Sequence, residues 1–341
     1  MQRVDAPAVH AHVRALGLGE LLTAQLVGRT PAYLVLLLRT SQGAYVARVG
    51  AVATRAQAAF EQRVRLVLSS HGLRVPKLVG HGTPARLGWA AAAPPGAATL
   101  QAGILLYTAV GGRQLADFAL TAEHTLEVGH YLGRLHRLLR HVPKPHPAKA
   151  QEAPLRRWAA WAMARSPDDE RREDLRWLMA WLGGPGAQLG RGLPHGLGQP
   201  QLVPALTRFG RGRLLGALDY GSVAPQTLVS DVAASLYAWG FAQDAPDAAR
   251  LGALVEGYGR ARALSAKERA ALWPALCRRA AHLALRRFMR FELEEVGGLL
   301  GEPAPFAPRG MLYEDYRHDL RRLRALTALG PGALGGPTGR G

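Results

Sequence analysis

Apolar positions along the chain change their period several times, and each change predicts an element. Over residues 8–26 they recur at helical spacing, which predicts an amphipathic opening helix broken by Gly17 and Gly19. Tyr33 to Arg39 and Ala44 to Val49 are β-rich runs on either side of Gln42-Gly43, so this stretch reads as an antiparallel hairpin. Residues 56–71 return to helical spacing, with Phe60, Val64 and Val67 on one side. Residues 82–102, rich in Ala, Pro and Gly, read as a loose loop, and Gly103 to Ala109 as a buried strand.

The second half is dominated by helical patterns. Thr121 to Leu139 predicts a long helix that ends in Leu132-Gly133-Arg134-Leu135-His136, and His136 reads as a packed or capping histidine rather than a ligand. After a stiff break at Pro143 to Pro147, residues 150–182 carry Trp158, Trp161, Trp177 and Trp181. Within each pair the spacing is three or four, which puts the two rings on one helix face and reads as core. Leu193 to Gly240 is different. It reads as a His-Gly loop, a short strand, a turn, a strand (LLGAL) ending in Asp219-Tyr220-Gly221, and a helix led by Asp231. Further helices are predicted over 245–259, 265–291 and 313–328, the second opened by Ser265 as N-cap with Glu268 three residues on. Gly330, Gly332 and Gly335 form a formal G-x-G-x-x-G without a preceding strand, so it is read as a disordered tail and not a dinucleotide site.

Composition narrows the class. At 341 residues and 48% apolar content, the chain is long enough for two lobes around one cleft. Cys277 is the sole cysteine and sits in a helical run, which excludes a disulfide framework or a cysteine-based zinc site within one chain. The opening residues lack the apolar core of a signal peptide, and Leu34 to Leu38 is too short to span a bilayer, so a cytoplasmic location without membrane contact is expected. The formal net charge is +18, carried almost wholly by arginine, since the lysines are only Lys77, Lys144, Lys149 and Lys267. The arginines are spread along the chain with no nucleic-acid motif, which reads as a solvated surface; an arginine-rich binder of nucleic acid or another anion is the alternative. Such charge disfavours polycationic ligands.

A carboxylate at a strand end followed closely by a small residue, here Gly221, suits a metal-phosphate site. With His195, Gly196, Asp219, Gly221 and Asp231 in this order, the stretch resembles the aminoglycoside phosphotransferase-like (choline and homoserine kinase-like) branch of the protein-kinase-like fold. Its loop reads H-G-D-x-x-x-x-N, its strand ends in D-x-G, and a third Asp opens the next helix. The LGRLH helix end and the hairpin carrying Arg48 strengthen the likeness, which covers roughly residues 15–300. It implies an α+β, bilobal fold: a small antiparallel-sheet lobe over 1–109, a mostly helical lobe over 110–328 and a tail over 329–341. It also implies a linker between the lobes near Val110 to Leu115, offering backbone groups to adenine.

The resemblance assigns roles residue by residue. Arg48 falls on the strand cation that contacts ATP phosphates, with an exposed strand arginine as the bland alternative. Glu61, or Gln62 in another register, falls on its helix partner. Asp219 is the implied Mg2+ ligand, His195 fixes the loop, and Asp231 caps its helix and bonds loop amides. Val27 to Pro31 is the implied phosphate-covering turn. The catalytic base position, however, is Leu197, and the second metal ligand is Leu202. Losing a general base costs about 10²–10⁴ in rate. The expectation is a pseudokinase of this family with weak or no phosphoryl transfer, which still has the means to bind ATP with Mg2+ or which acts through a protein partner. The alternative is an active kinase for a small-molecule hydroxyl, using Gln199 or Gln201 on the metal and a base drawn from Asp168, Asp169 or Glu170.

Overall fold

The computed structural model describes residues 7–29, 33–51, 55–82, 102–116, 119–143, 155–166, 169–184, 187–199, 202–291 and 315–334. Helix α1 (Pro7–Ala15) stops where Gly17 and Gly19 take φ of 66° and 84°, a region open to glycine at little cost. The chain then runs as strand β1 (Leu21–Arg29), so the helix expected over 8–26 is half the predicted length. Pairing decides this outcome: β1 lies antiparallel to β2 (Tyr33–Thr40), from Leu21 opposite Thr40 to Arg29 opposite Leu34.

The hairpin is as the pattern predicts, with β2 joined to β3 (Gly43–Ala51) and Thr40 opposite Gly43 as the closing pair. The turn residues are therefore Ser41 and Gln42, one position earlier than read. With β4 (Leu78–Gly82) and β5 (Ala102–Thr108), the strands form an antiparallel sheet in the order β1-β2-β3-β5-β4. Strand alternation gives the sheet two different faces. Leu36, Leu38, Ala47, Val49, Ile104 and Leu106 pack with Val9 and Val13 of α1. On the other face, Val35, Val46 and Tyr107 meet Leu206 and Leu218 of the second lobe. Helix α2 (Arg55–Ser70) buries Phe60, Val64 and Leu68 at i, i+4 and i+8, while Val67 is half-buried beside them.

The second lobe is built on α3 (Ala122–Leu139), α4 (Leu155–Arg165), α5 (Asp169–Gly183), α6 (Leu228–Trp239), α7 (Ala248–Ala261), α8 (Ala266–Phe291) and α9 (Asp315–Leu329). Small antiparallel pairs line its upper side: β6 (His195–Gly198) with β9 (Ala224–Thr227), and β7 (Thr207–Gly210) with β8 (Arg213–Ala217). Between α6 and α7, β10 (Phe241–Ala242) pairs with β11 (Ala245–Pro246). The helix expected from Ala245 starts three residues later, because Asp247 caps it by accepting the Arg250 amide at 3.1 Å. Ser265 and Glu268 form the predicted reciprocal cap, each accepting the other's backbone N–H. Trp158, Trp161, Trp177 and Trp181 are half-buried against the core, as their spacing suggested. The end of the chain needs correction: α9 continues to Leu329, and a 3-10 turn over Pro331–Leu334 follows and buries Leu334, where a disordered tail from residue 329 was expected. Of the loop predicted over residues 82–102, Gly82 ends β4 and Ala102 opens β5; residues 83–101, like 335–341, lie outside the described residues.

Candidate active-site cleft

The candidate site lies where the inner face of the sheet meets Leu206, Leu215 and Leu218 of the helical lobe. In the hairpin register Val35 stands opposite Arg48, so Tyr33, two residues from Val35, shares the face of Arg48. The Arg48 guanidinium is buried, with its Nη1 at 2.5 Å from Glu61 Oε2 of α2. Glu61 and not Gln62 therefore meets the strand cation. Arg65, one turn further along α2, reaches the same Glu61 oxygen at 3.4 Å and lies over the Tyr107 ring.

Asp219 follows β8 and is 1% exposed. Its Oδ1 accepts the Gly221 amide at 2.9 Å, its Oδ2 accepts the Tyr33 hydroxyl at 2.8 Å, and Arg48 Nε stands 3.7 Å from Oδ1. That last distance allows charge attraction without a hydrogen bond. Arg48 also stacks on the Tyr33 ring, its Cζ 4.0 Å from the centroid. Gly221 is required here by close approach: a β-carbon on it would fall 2.2 Å from Arg48 Cζ. Burial pulls the Arg48 pKa down, but Asp219, Tyr33 and Glu61 outweigh it and hold the group above its ordinary value. Burial, reinforced by Asp219, pushes the Tyr33 phenol up.

The loop below is held by a second buried carboxylate. Asp231 Oδ2 accepts the Gln199 amide at 2.6 Å and contacts His136 Nε2 at 2.7 Å. His136 Nδ1 lies 2.8 Å from the Tyr258 hydroxyl, which accepts from Arg262, and Arg262 pairs with Glu268 at 2.8 Å. The predicted bond from Asp231 to a loop amide is present. Its predicted role as a helix cap is not: α6 begins at Leu228 with Thr227 in the N-cap position, so Asp231 lies a full turn inside. Two glycines make this network sterically possible. A β-carbon on Gly198 would sit 2.8 Å from Asp231 Oδ2, and one on Gly133 would sit 2.8 Å from the Tyr258 carbonyl oxygen.

The remaining loop residues have structural places. His195 is exposed, and its Nδ1 bonds the Leu193 carbonyl at 2.9 Å; Gly196 packs under Leu228. Leu197 is 2% exposed and Leu202 is 1% exposed, both in the core of the helical lobe, and the Leu202 carbonyl accepts Trp239 Nε1 at 2.7 Å. The fully buried Gln199 bonds the Asp219 carbonyl through its Nε2 and accepts the Ser222 hydroxyl at 2.9 Å, tying the loop to the D-Y-G turn. Tyr220 bonds the Tyr131 hydroxyl, and burial pushes its pKa up to about 12.

The substitute bases expected from the segment of α4 and α5, which the resemblance makes an insertion before the His-Gly loop, are engaged elsewhere. Asp169, 91% exposed, pairs with Arg172 at 2.9 Å, and Glu170 pairs with Arg317 of α9 at 2.8 Å. Asp168 and Gln201 lie outside the described residues, as do residues 30 and 31 of the implied phosphate-covering turn, whose Val27 to Arg29 end β1. The Mg2+ that the resemblance implies does not fit these side chains. Both Asp219 oxygens already accept hydrogen bonds, Glu61 serves two arginines, and Leu202 supplies no donor atom. Among the described residues no group of three or more His, Cys, Asp or Glu is placed to hold a metal ion. Tyr33, Arg65 and Arg262 were not singled out in the sequence, and Tyr258 was noted only in the run Glu256-Gly257-Tyr258, which resembles the family's C-terminal helices. Only Tyr33 had a usable signal there, its place in the hairpin register.

A small antiparallel sheet over a helical lobe, with a strand cation paired to a helix glutamate above a D-x-G turn, defines a protein-kinase-like fold. The phosphotransferase enzyme family matches residues 32–273, and the chain belongs to it. Its fold is similar to that of an amicoumacin kinase in complex with AMP-PNP, Ca2+ and Ami, at 16% identity and a TM-score of 0.57 over 90% of this chain and 89% of that one. It is likewise similar to a microcompartment-associated aminopropanol kinase (16%, 0.57, 96% and 98%). A third likeness is to a spectinomycin phosphotransferase in complex with ADP and spectinomycin (9%, 0.57, 96% and 99%). No curated protein matches in sequence. Among the described residues no helix is long and apolar enough to cross a membrane.

Proposed function

We propose that the chain is a pseudokinase: a member of the phosphotransferase family that keeps the fold and does not transfer phosphoryl groups. The observation that carries this reading is the burial of Leu197 and Leu202 in the core, the two residues to which the resemblance gives the family's base and second metal-ligand positions. Phosphoryl transfer to a hydroxyl needs a group that accepts the proton and a metal that spreads the phosphate charge. Leucine does neither, and Asp169 and Glu170 are tied to arginines of the insertion and α9. Nucleotide binding is a separable part of the proposal. AMP-PNP and ADP are present in two of the similar structures, and the backbone groups of the Val110 to Leu115 linker do not depend on the lost side chains.

The test is ADP release from ATP and Mg2+ across a panel of small alcohols and amines, comparing the parent chain with Asp219→Ala. Release at background in both is expected. Turnover by the parent that disappears in Asp219→Ala would overturn the reading. A thermal-shift titration with ATP on the same preparations reports nucleotide binding independently of turnover.

A further inference from the structure

Arg48, Arg65, Glu61 and Asp219 bring two positive and two negative charges together beneath the sheet, all buried. Glu61 touches both guanidinium groups, and Asp219 has Arg48 beside it at 3.7 Å. A divalent ion entering here would find no uncompensated negative charge and would stand against a guanidinium in a poorly screened place. The guanidinium is also clamped mechanically. One of its faces lies on Gly221, where a β-carbon would come within 2.2 Å of Cζ, and the Tyr33 ring stacks on it at 4.0 Å. Tyr33 adds its hydroxyl to the Asp219 oxygen that Arg48 does not approach. Tyr33, Arg48 and Glu61 come from the sheet lobe, whereas Asp219 and Gly221 come from the helical lobe. The clamp therefore spans both.

We propose that the Arg48 guanidinium, held between Tyr33 and Gly221, is a built-in replacement for the divalent cation of this cleft and fastens the lobes together without metal. This deepens the non-catalytic reading and rests on it. In an active member the cation arrives with the nucleotide and leaves with it. Here the positive charge is part of the chain, so closure of the cleft is independent of Mg2+.

The test uses the full chain. Parent and Asp219→Asn are titrated with Mn2+, free ion being followed by electron paramagnetic resonance, and Tm is measured with and without Mg2+. The expected result is the same free-ion signal in both proteins and the same Tm with or without Mg2+ in the parent. Arg48→Met is expected to lower Tm by about 6 °C or more, because it leaves Asp219 buried without its cation. Should that variant not fold, Arg48→Lys keeps the charge but loses the planar fork, and a smaller fall is expected. Saturable Mn2+ uptake by the parent that is lost in Asp219→Asn would overturn the proposal, and so would an Arg48 variant as stable as the parent. ADP release without Mn2+ uptake would overturn the non-catalytic reading alone, so the two failures are distinguishable.

Discussion

Asp219 and Asp231 are both buried carboxylates of the family pattern, yet they are held by different means: both Asp219 oxygens accept a hydrogen bond, whereas Asp231 is held through Oδ2 alone. Asp219 lies between lobes and is held by an arginine, a phenol and one amide. Asp231 lies within one lobe and is held by His136 and the Gln199 amide, with Tyr258, Arg262 and Glu268 behind His136. The first arrangement occupies a place where chemistry would occur; the second organises the loop that chemistry would use. Under the proposed non-catalytic reading, that difference explains how the family frame persists without the family's base. Leu197 and Leu202 add apolar contacts to the core, whereas loss of Asp231 would orphan a buried amide and a buried imidazole.

The largest effect is expected at Asp231. Asp231→Ala should cost about 3–5 kcal/mol, since it removes one partner of a buried charged network. Urea denaturation measures it, and a cost near that of an ordinary surface substitution would remove the distinction drawn between the two carboxylates. Leu197→Asp comes next. It restores the family's base in sequence, but its site is apolar core, so a loss of about 2–4 kcal/mol is expected and ADP release should stay at background. A stable Leu197→Asp that turns over ATP would mean that the lower half of the cleft kept its chemistry poised. Tyr33→Phe is smaller: it deletes one hydrogen bond to a carboxylate while keeping the stack on Arg48, for about 2 kcal/mol by the same denaturation assay.

Much of this was legible along the chain because it depends on local order. The register of one hairpin places Arg48, the helix period places Glu61 within α2, and Ser265 with Glu268 marks a helix start. What escaped depends on pairing at a distance. Leu21 to Leu26 has helical spacing, yet it is a strand because β2 completes its hydrogen bonds and Gly17 and Gly19 release it from α1. Asp231 heads a helical pattern and so reads as a cap, but its partners come from the loop and from α3. The Tyr33 hydroxyl reaches a residue 186 positions away, a contact that no local pattern encodes.

Both carboxylate systems include a buried tyrosine, which gives the comparison a reading in pH. Burial first, and Asp219 second, hold the Tyr33 pKa above its ordinary value of 10.0; burial does the same for Tyr258 behind His136. Below pH 10 folded and unfolded chains both keep these protons, so their contribution to stability is intact. As pH rises past 10 the unfolded tyrosines ionise while the folded ones do not, and stability falls by up to one proton's worth of slope for each. Tyr33→Phe should therefore flatten the alkaline fall in unfolding free energy by about one proton, and Tyr258→Phe by the same amount. Measured by denaturation at stepped pH, an unchanged slope in Tyr33→Phe would mean that its hydroxyl already ionises in the folded chain. The phenol would then repel Asp219 instead of donating to it, and the closed upper half of the cleft would open with alkali while the Asp231 network stayed intact.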